Sequence, residues 1–513
     1  MSQSPFIDKR LIDTLSVLAQ QTAPGQTALM DRRGALAYSA LADGVSALAI
    51  WLQDQQVAVV ALRAGNSIDW VLVDLACQVA GLMCLPLPEF FSDEQSQHCL
   101  QAANADLLLS DELAAVVNVC ELGGHSLDSP PPLTLDVWRL TWPEISLEKP
   151  VHPAGTQKIT FTSGSTGSPK GVCLSQDQQW QVAESLAEVI ALKQPRHLCL
   201  LPLATLLENI AGVYTPLLCG GTVILPDAAS RGFRGSSGLD IQGLIQCISH
   251  YQPHSLILLP QLLNVLIAAC QGGWQPPASL KFVAVGGAKV AVDSIVQARS
   301  YGIPVYEGYG LSECGSVVAL NTPGKDKPGA VGKPLPHCDV TIDNGEIMVA
   351  GSAHLGYLGQ PENWFPSQIA TGDLGTLDDG WLSITGRRKN VLISSFGRNI
   401  SPEWVESALC THSLLAQCVV LGDARPYLIA LLSAPATVSD AVIGEWIENA
   451  NQHLPDYAQV KAWHRLDQHG WQGMLTANGR PQRQLIMEHY ADLIERIYTS
   501  NPHVAQLCTP GSA

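Results

Sequence analysis

The sequence predicts an α/β protein of more than one domain, and three observations carry that expectation. The chain has 513 residues, more than a single hydrophobic core usually holds. Between residues 30 and 110, helical periodicity alternates with short apolar runs, the rhythm of strands layered against helices. After about residue 387 the character changes, and the remainder reads as a small α+β unit.

Taken in order, Tyr38 to Gln53 places Leu41, Val45, Leu48, Ala49 and Leu52 at helical spacing. Val57–Leu62 is a buried strand, Asp69–Ala80 a helix stopped by Gly81, and Leu82–Leu87 a strand again. A strand at Asp106–Leu109 is followed by Gly123-Gly-His-Ser-Leu127, the attachment signature of a phosphopantetheine carrier. A carrier needs a helix starting at Ser126, which Pro130–Pro132 forbid, so the match is read as a decoy. Strands follow at Leu198–Leu201, Thr222–Leu225, Ser255–Leu259, Phe282–Val285 and Val305–Tyr306. Ser401 and Pro402 supply an N-cap and a first-turn proline, so a helix starts there.

Composition narrows the function classes. A formal net charge of −17 argues against nonspecific nucleic-acid binding. Hydrophobic residues at 46% and charged residues at 15% fit a packed globule. The fourteen cysteines include no C-x-x-C pair and mostly have apolar neighbours, so they read as core residues of a reducing compartment. Met1–Arg10 lacks a secretory core and no apolar run is long enough for a membrane span, which makes the cytoplasm the expected location.

The most informative stretch is Ile159 to Gly171. An alternating strand runs into an unbroken series of hydroxyl residues and glycines, then Pro169, Lys170 and a second strand, Val172–Leu174. Gly164 and Gly167 permit close backbone approach; Thr162, Ser163, Ser165 and Thr166 donate hydrogen bonds; Lys170 adds a point charge. Such a loop suits phosphates. It is neither a Walker A loop nor a nucleophile elbow, because its glycines fall at the wrong spacing for both.

This loop closely resembles the phosphate loop of the adenylate-forming superfamily, which includes acyl-CoA synthetases, acyl-AMP ligases and peptide-synthetase adenylation domains. The resemblance covers most of the chain. Leu201-Pro-Leu-Ala-Thr-Leu-Leu-Glu-Asn209 is similar to the family's acyl-site segment in its long-chain form, with Thr205 where a histidine is usual. Tyr306-Glu-Gly-Tyr309-Gly310-Leu-Ser312-Glu313, preceded by Gly286-Gly287-Ala288, resembles the segment that lines adenine, meets the α-phosphate and holds Mg²⁺. Asp373 in Thr371–Gly375 corresponds to the ribose ligand, and Arg387 to a ribose or phosphate contact. Leu475–Arg483 resembles the C-terminal catalytic loop, with Arg480 in place of lysine. Asn390 stands at the hinge, and Gly397 in the loop that lines the thiol entry.

The resemblance implies a large N-terminal domain over 1–387, two sandwiched sheets with helices plus a small β subdomain. A small mobile α+β domain over 388–513 would follow, with its hinge near 388–390. It implies ATP, Mg²⁺ and CoA as cofactors and a carboxylic acid as substrate. Lys170, Ser312, Glu313 and Arg480 would be catalytic, with Glu313 on the metal. No aspartate stands in the acyl segment to hold an α-ammonium, and Gly286, Gly287 and Ala288 leave room for a tail, so an apolar acid, a fatty acid, is expected. Lys170 and Glu313 are expected at exposed loop positions. Three readings stay open: a CoA ligase, an acyl-AMP ligase loading a separate carrier protein, and a nucleotide-binding homologue without catalysis.

Overall fold

The computed structural model describes residues 9–113, 116–117, 122–142, 152–162, 170–234, 238–393, 399–412, 414–415, 417–467, 469–475 and 481–500. Two sheets dominate it. One has eight strands, ordered Gly356–Tyr357, Lys170–Leu174, Lys158–Thr162, Met83–Pro86, Val59–Arg63, Leu107–Ser110, Asp136–Leu140 and Gly124–Leu127. The other has nine, with Val305–Tyr309, Phe282–Val285, Ser255–Leu258, Arg196–Leu198, Thr222–Ile224 and Thr27–Asp31 running parallel in that order.

Helices fill the space between the sheets. Tyr38–Asp54, Ile68–Ala80 and Gln176–Ile190 bury side chains in one core, which also takes Val60 and Leu62 from the first sheet and Leu29, Val223 and Phe282 from the second. Their starts follow the sequence. Ser67 accepts from the Trp70 amide and Ser175 from the Gln178 amide, each satisfying an otherwise unpaired first-turn donor. Gly81 ends its helix at φ +71°, the left-handed position expected of it.

Several boundaries move. The strand expected at Leu198–Leu201 is Arg196–Leu198; past it side chains take the backbone groups, Asn66 and Arg231 bonding the Cys199, Leu200 and Leu201 carbonyls and Glu208 the Leu201 amide. Val305–Tyr309 runs past its expected end at Tyr306 because Leu320 and Ala319 pair with Gly308 and Tyr309. Ser126 lies in a strand, paired with Trp138, which removes the carrier signature as a helix start.

A four-stranded antiparallel sheet, Asp339–Asp343, Glu346–Ala350, Gln368–Asp378 and Trp381–Arg387, follows. Beyond it, Gln417–Leu421, Leu428–Ser433 and Val460–Arg465 form a separate three-stranded sheet. The central strand is apolar on both faces: Leu428, Ala430 and Leu432 enter one core, Ile429 and Leu431 the other. As expected, Ser401 caps the helix Pro402–Leu409 on the Trp404 amide.

A fully buried polar network crosses the sandwich. Lys158 Nζ lies 2.8 Å from Asp74 Oδ1 and donates to Tyr214 Oη (2.8 Å) and to Asn209 Oδ1. Asp74 Oδ2 accepts from the Tyr214 hydroxyl (2.5 Å) and from Asn209 Nδ2 (2.9 Å). Gln78 donates to Tyr214 at 2.6 Å, and Trp180 stacks on the Tyr214 ring at 4.8 Å. Removing one ion from a buried pair strands the other, at a cost of about 3–5 kcal/mol. Asp74→Leu or Lys158→Met alone should therefore lower stability in urea melts by that order, and the double variant by clearly less than the sum. An additive double variant would show that the pair is not coupled.

Candidate active site

One cavity of about 1310 Å³ gathers most of the described residues among those singled out by sequence. Thr162, Lys170, Gly286, Gly287, Tyr309, Gly310, Ser312, Glu313 and Arg387 all line it. Ala288 is exposed and does not line it, and Asp373 lies one layer behind. Ser163, Gly164, Ser165, Thr166, Gly167, Gly397 and Arg480 lie outside the described residues.

The phosphate segment is a hairpin. Lys158–Thr162 and Lys170–Leu174 pair antiparallel, and the register sets Thr162 opposite Lys170. Lys170 is thus a half-buried strand residue and Glu313 a half-buried residue of a short 3₁₀ turn, Ser312–Cys314. Neither is the exposed loop position expected from sequence, because the strand and turn that hold them are packed from below. Gly171 shows how tightly: a Cβ there would approach Leu358 to 3.1 Å and Ile159 to 3.2 Å.

Tyr357 connects the two. Its hydroxyl donates to Glu313 Oε1 at 3.0 Å, and Lys170 Nζ sits 5.4 Å from its ring centroid. The strand Gly356–Tyr357 pairs with Cys173 and Val172, beside Lys170. The His354 amide donates to the Glu313 carbonyl at 2.7 Å, and its ring meets Tyr357 edge-on at 4.7 Å. Burial raises the Tyr357 hydroxyl above its ordinary value and, beside Glu313, keeps it a donor; burial also holds His354 below the usual imidazole value. Sequence reasoning missed Tyr357. Its only signal is a Gly-Tyr pair, too common to single out.

Elsewhere at the cavity, three residues from different motifs meet. Asp373, only 3% exposed, sits inside the strand Gln368–Asp378 rather than in a turn. Its register partner across the sheet is Arg387, whose Nε lies 2.8 Å from Asp373 Oδ1. Tyr309 donates to Oδ2 at 2.7 Å. Burial, then the Asp373 charge, pushes the Tyr309 hydroxyl well above its usual value, so it too stays a donor. Gly310 is obligatory, since a Cβ there would lie 1.5 Å from the Ser316 carbonyl.

Glu307, one of the unassigned residues of the Tyr306–Glu313 segment, is buried beside Lys289, and its Oε1 accepts from the Val290 amide at 3.4 Å. Burial pushes its carboxyl up to about 7, with the Val290 amide and Lys289 opposing.

The acyl segment Leu201–Asn209 enters a π-helix, Glu208–Tyr214. Glu208 is fully buried. Its Oε1 lies 3.0 Å from His197 Nε2 and its Oε2 accepts the Leu201 amide at 3.2 Å, so it fixes the base of the loop that carries Thr205 to the cavity. His197, Cys199 and Glu208 place ligand atoms within 4.8 Å of one another. Ser255 and the Gly212 carbonyl already partner His197 and Cys199, so the trio is satisfied as a hydrogen-bonded core group.

The C-terminal part reaches the same cavity through Asn390, Gln417 and Leu475. Asn390 Nδ2 donates to Glu403 Oε1 at 2.5 Å, and Asn264 donates to the Cys410 carbonyl at 2.8 Å. Leu475 and Pro481 bridge one another and flank the stretch that holds Arg480.

This architecture has known counterparts. The profile of the AMP-binding enzyme family matches residues 18–358, and that of its C-terminal domain matches 389–502. The chain belongs to the AMP-binding enzyme family. With the family goes AMP-forming ligation of an acid to CoA, with ATP and Mg²⁺. Among its relatives, the long-chain-fatty-acid–CoA ligase FadD15 of Mycobacterium bovis is 25% identical, the match spanning 86% of this chain and 88% of that protein. A 2-succinylbenzoate–CoA ligase of Bacillus velezensis is 29% identical over 71% and 75%. The solved structure of the anthranilate CoA ligase AuaEII with anthranoyl-AMP shares the fold at a TM-score of 0.76 and 17% identity, covering 97% of this chain and 98% of that one. No helix among the described residues is long and apolar enough to cross a membrane.

A carboxyl raised on folding stabilises the fold below its unfolded value and loses that contribution as pH rises through the folded one. The Glu307 contribution is therefore present below about pH 4.5 and lost through about pH 7. The stability difference between wild type and Glu307→Gln should fall across that window in urea melts. A difference that does not change with pH would show that Glu307 is not held protonated.

Proposed function

We propose that this enzyme activates an apolar carboxylic acid, a fatty acid, and passes it to the thiol of CoA. The observation that supports this best is the shared cavity. Its polar wall carries Lys170, Tyr309, Glu313 and Arg387, and the same space runs on along an apolar wall with no α-ammonium partner in the Leu201–Asn209 segment.

In the first step an oxygen of the acid's carboxylate attacks the α-phosphorus of ATP, and the bond to pyrophosphate breaks. In the second, the thiol sulfur attacks the acyl carbon, its proton is lost to solvent, and AMP leaves. Lys170 stabilises charge developing on the phosphates, as does Arg480, which keeps a lysine's charge with a planar two-donor head. Glu313 fits Mg²⁺, being an oxygen donor at the cavity wall whose carboxylate Tyr357 already orients. The cation would neutralise phosphate charge. Asp373 is the ribose acceptor, reached between Tyr309 and Arg387, and Gly286 and Gly287 border adenine. Residues 1–387 form the N-terminal domain and 388–513 a domain that turns about Asn390. Glu403 supplies a partner there, which the usual charged hinge residue would meet differently. Gly397 lines the thiol entry in the second step. The setting is the cytoplasm.

AMP release over a panel of carboxylic acids, with and without CoA, tests the reading. Apolar acids should release AMP in turnover only with CoA, and free amino acids should not. Turnover only with a phosphopantetheine carrier protein would make the acceptor a carrier, and none with any acid would point to a nucleotide-binding homologue.

Lys170→Ala and Glu313→Ala should each slow acid-dependent pyrophosphate formation on the order of 10²-fold or more. Near wild-type rates in both would sink this assignment. Asp373→Asn should weaken ATP binding by about 1.5–3 kcal/mol in calorimetry, the worth of a hydrogen bond to a charged group. An unchanged dissociation constant would remove Asp373 from the ribose site.

A further inference from the structure

The apolar end of the cavity has a direction. The π-helix Glu208–Tyr214 continues without a break into the α-helix Thr215–Leu218, with Cys219 closing it. Leu207, Ala211, Thr215 and Cys219 all line the cavity, one helical step of four residues after another. They form a stripe down one side of this helix, leading away from the Leu201–Thr205 loop. The Thr215 hydroxyl donates back to the Ile210 carbonyl at 3.2 Å, so its methyl is its apolar face. Facing the stripe, Leu186, Ala187 and Ile190 line the cavity from the helix Gln176–Ile190.

A pinned segment lies beside the end of the stripe. Its Leu192 and Pro195 line the cavity. The Gln194 amide donates to the Cys219 carbonyl at 3.1 Å, and the Thr222 amide to the Pro195 carbonyl at 2.7 Å. Ala191 and Gln194 adopt left-handed φ values of +54° and +44°, which fold the segment back across the helix end. Gly221 sits so close that a Cβ would lie 2.3 Å from the Pro195 carbonyl. None of the four stripe residues is charged; the cavity's charged lining residues, Glu89, Glu112 and Arg231 among them, and the lining His197 all belong to other elements.

We infer that this stripe is a measuring passage for a straight acyl chain, with Cys219 and the Leu192–Pro195 segment as its end stop. The inference rests on the reading of the cavity as the site of an apolar acid, and it names the class: a linear alkyl acid, not a compact aromatic one. Helical rise puts Cys219 roughly 15–18 Å beyond Leu207. An extended chain advances about 1.2 Å per bond, so the passage takes roughly 12–15 bonds, a medium to long alkyl tail. Residues along the stripe beyond Leu207 should act as graded stops, Ala211 the nearest of them to the reacting carboxylate and Cys219 the farthest.

The test is the kcat/KM profile of the full-length enzyme over straight-chain saturated acids from hexanoate to octadecanoate, read as pyrophosphate release. Wild type should gain about three- to fourfold per methylene until the passage is full, and then fall. Cys219→Trp should move the optimum to shorter acids and cut the longest by about tenfold or more, the loss growing with chain length. Thr215→Leu should shorten the optimum further, and Ala211→Trp most. Cys219→Ala should hold or lengthen it. Circular dichroism and melting temperature identify any variant that fails to fold; Cys219→Leu then replaces Cys219→Trp, with a smaller shift in the same direction. An optimum that does not move, variants that fall out of order along the helix, or losses equal at every chain length would overturn the inference. So would a wild-type preference for an aromatic acid over the whole series, although the apolar-acid reading would survive that result. If wild type activates no apolar acid at all, it is the underlying reading that fails.

Discussion

The buried ion pair between Lys158 and Asp74 ties together the parts on which the site depends. Lys158 begins the strand that ends at Thr162, where the phosphate loop departs. Asp74 belongs to a helix between the sheets, and Asn209 and Tyr214 to the π-helix Glu208–Tyr214. One polar cluster thus holds the strand Lys158–Thr162, a core helix and the π-helix in fixed relation. An ion pair without water is costly unless every lone pair and proton has a partner. Here Tyr214 and Asn209 each bond both ions, and Gln78 in turn bonds Tyr214, so the pair holds elements from three parts of the chain together.

The active-site side chains depend on a second layer in the same way. Tyr357 keeps Lys170 and Glu313 at separate places on one ring, cation over the face and carboxylate at the hydroxyl. Without such a spacer, opposite charges at the wall of one cavity are drawn into a pair of their own. Asp373 is held between Tyr309 and Arg387 because the antiparallel register sets the aspartate opposite the arginine. Arginine at 480 and asparagine at 390 depart from the common pattern. Leu475 and Asn390 both line the cavity, so the C-terminal part meets it among the described residues.

The relatives divide between fatty and aromatic acids. Their shared family leaves the class of acid open. The features of this chain that bear on it are local: Thr205 in place of a larger histidine, the helical stripe from Leu207 to Cys219, and the folded-back segment beside it.

The sequence alone carried the layered α/β class, the helix start at Ser401 and the segments that resemble the family's motifs. These signals are local: a glycine spacing, an N-cap, a run of hydroxyls, each read within a few residues. Even the carrier-like Gly123–Leu127 could be discounted locally, from the prolines that follow it. Tertiary structure alone decided the rest. Tyr357 meets Glu313, Arg387 meets Asp373, and Glu208 turns inward to His197 and the Leu201 amide. Lys170 and Glu313 come out half-buried for the same reason. Each of these depends on strand register or on packing between elements far apart in the chain, and no short window of sequence carries that information.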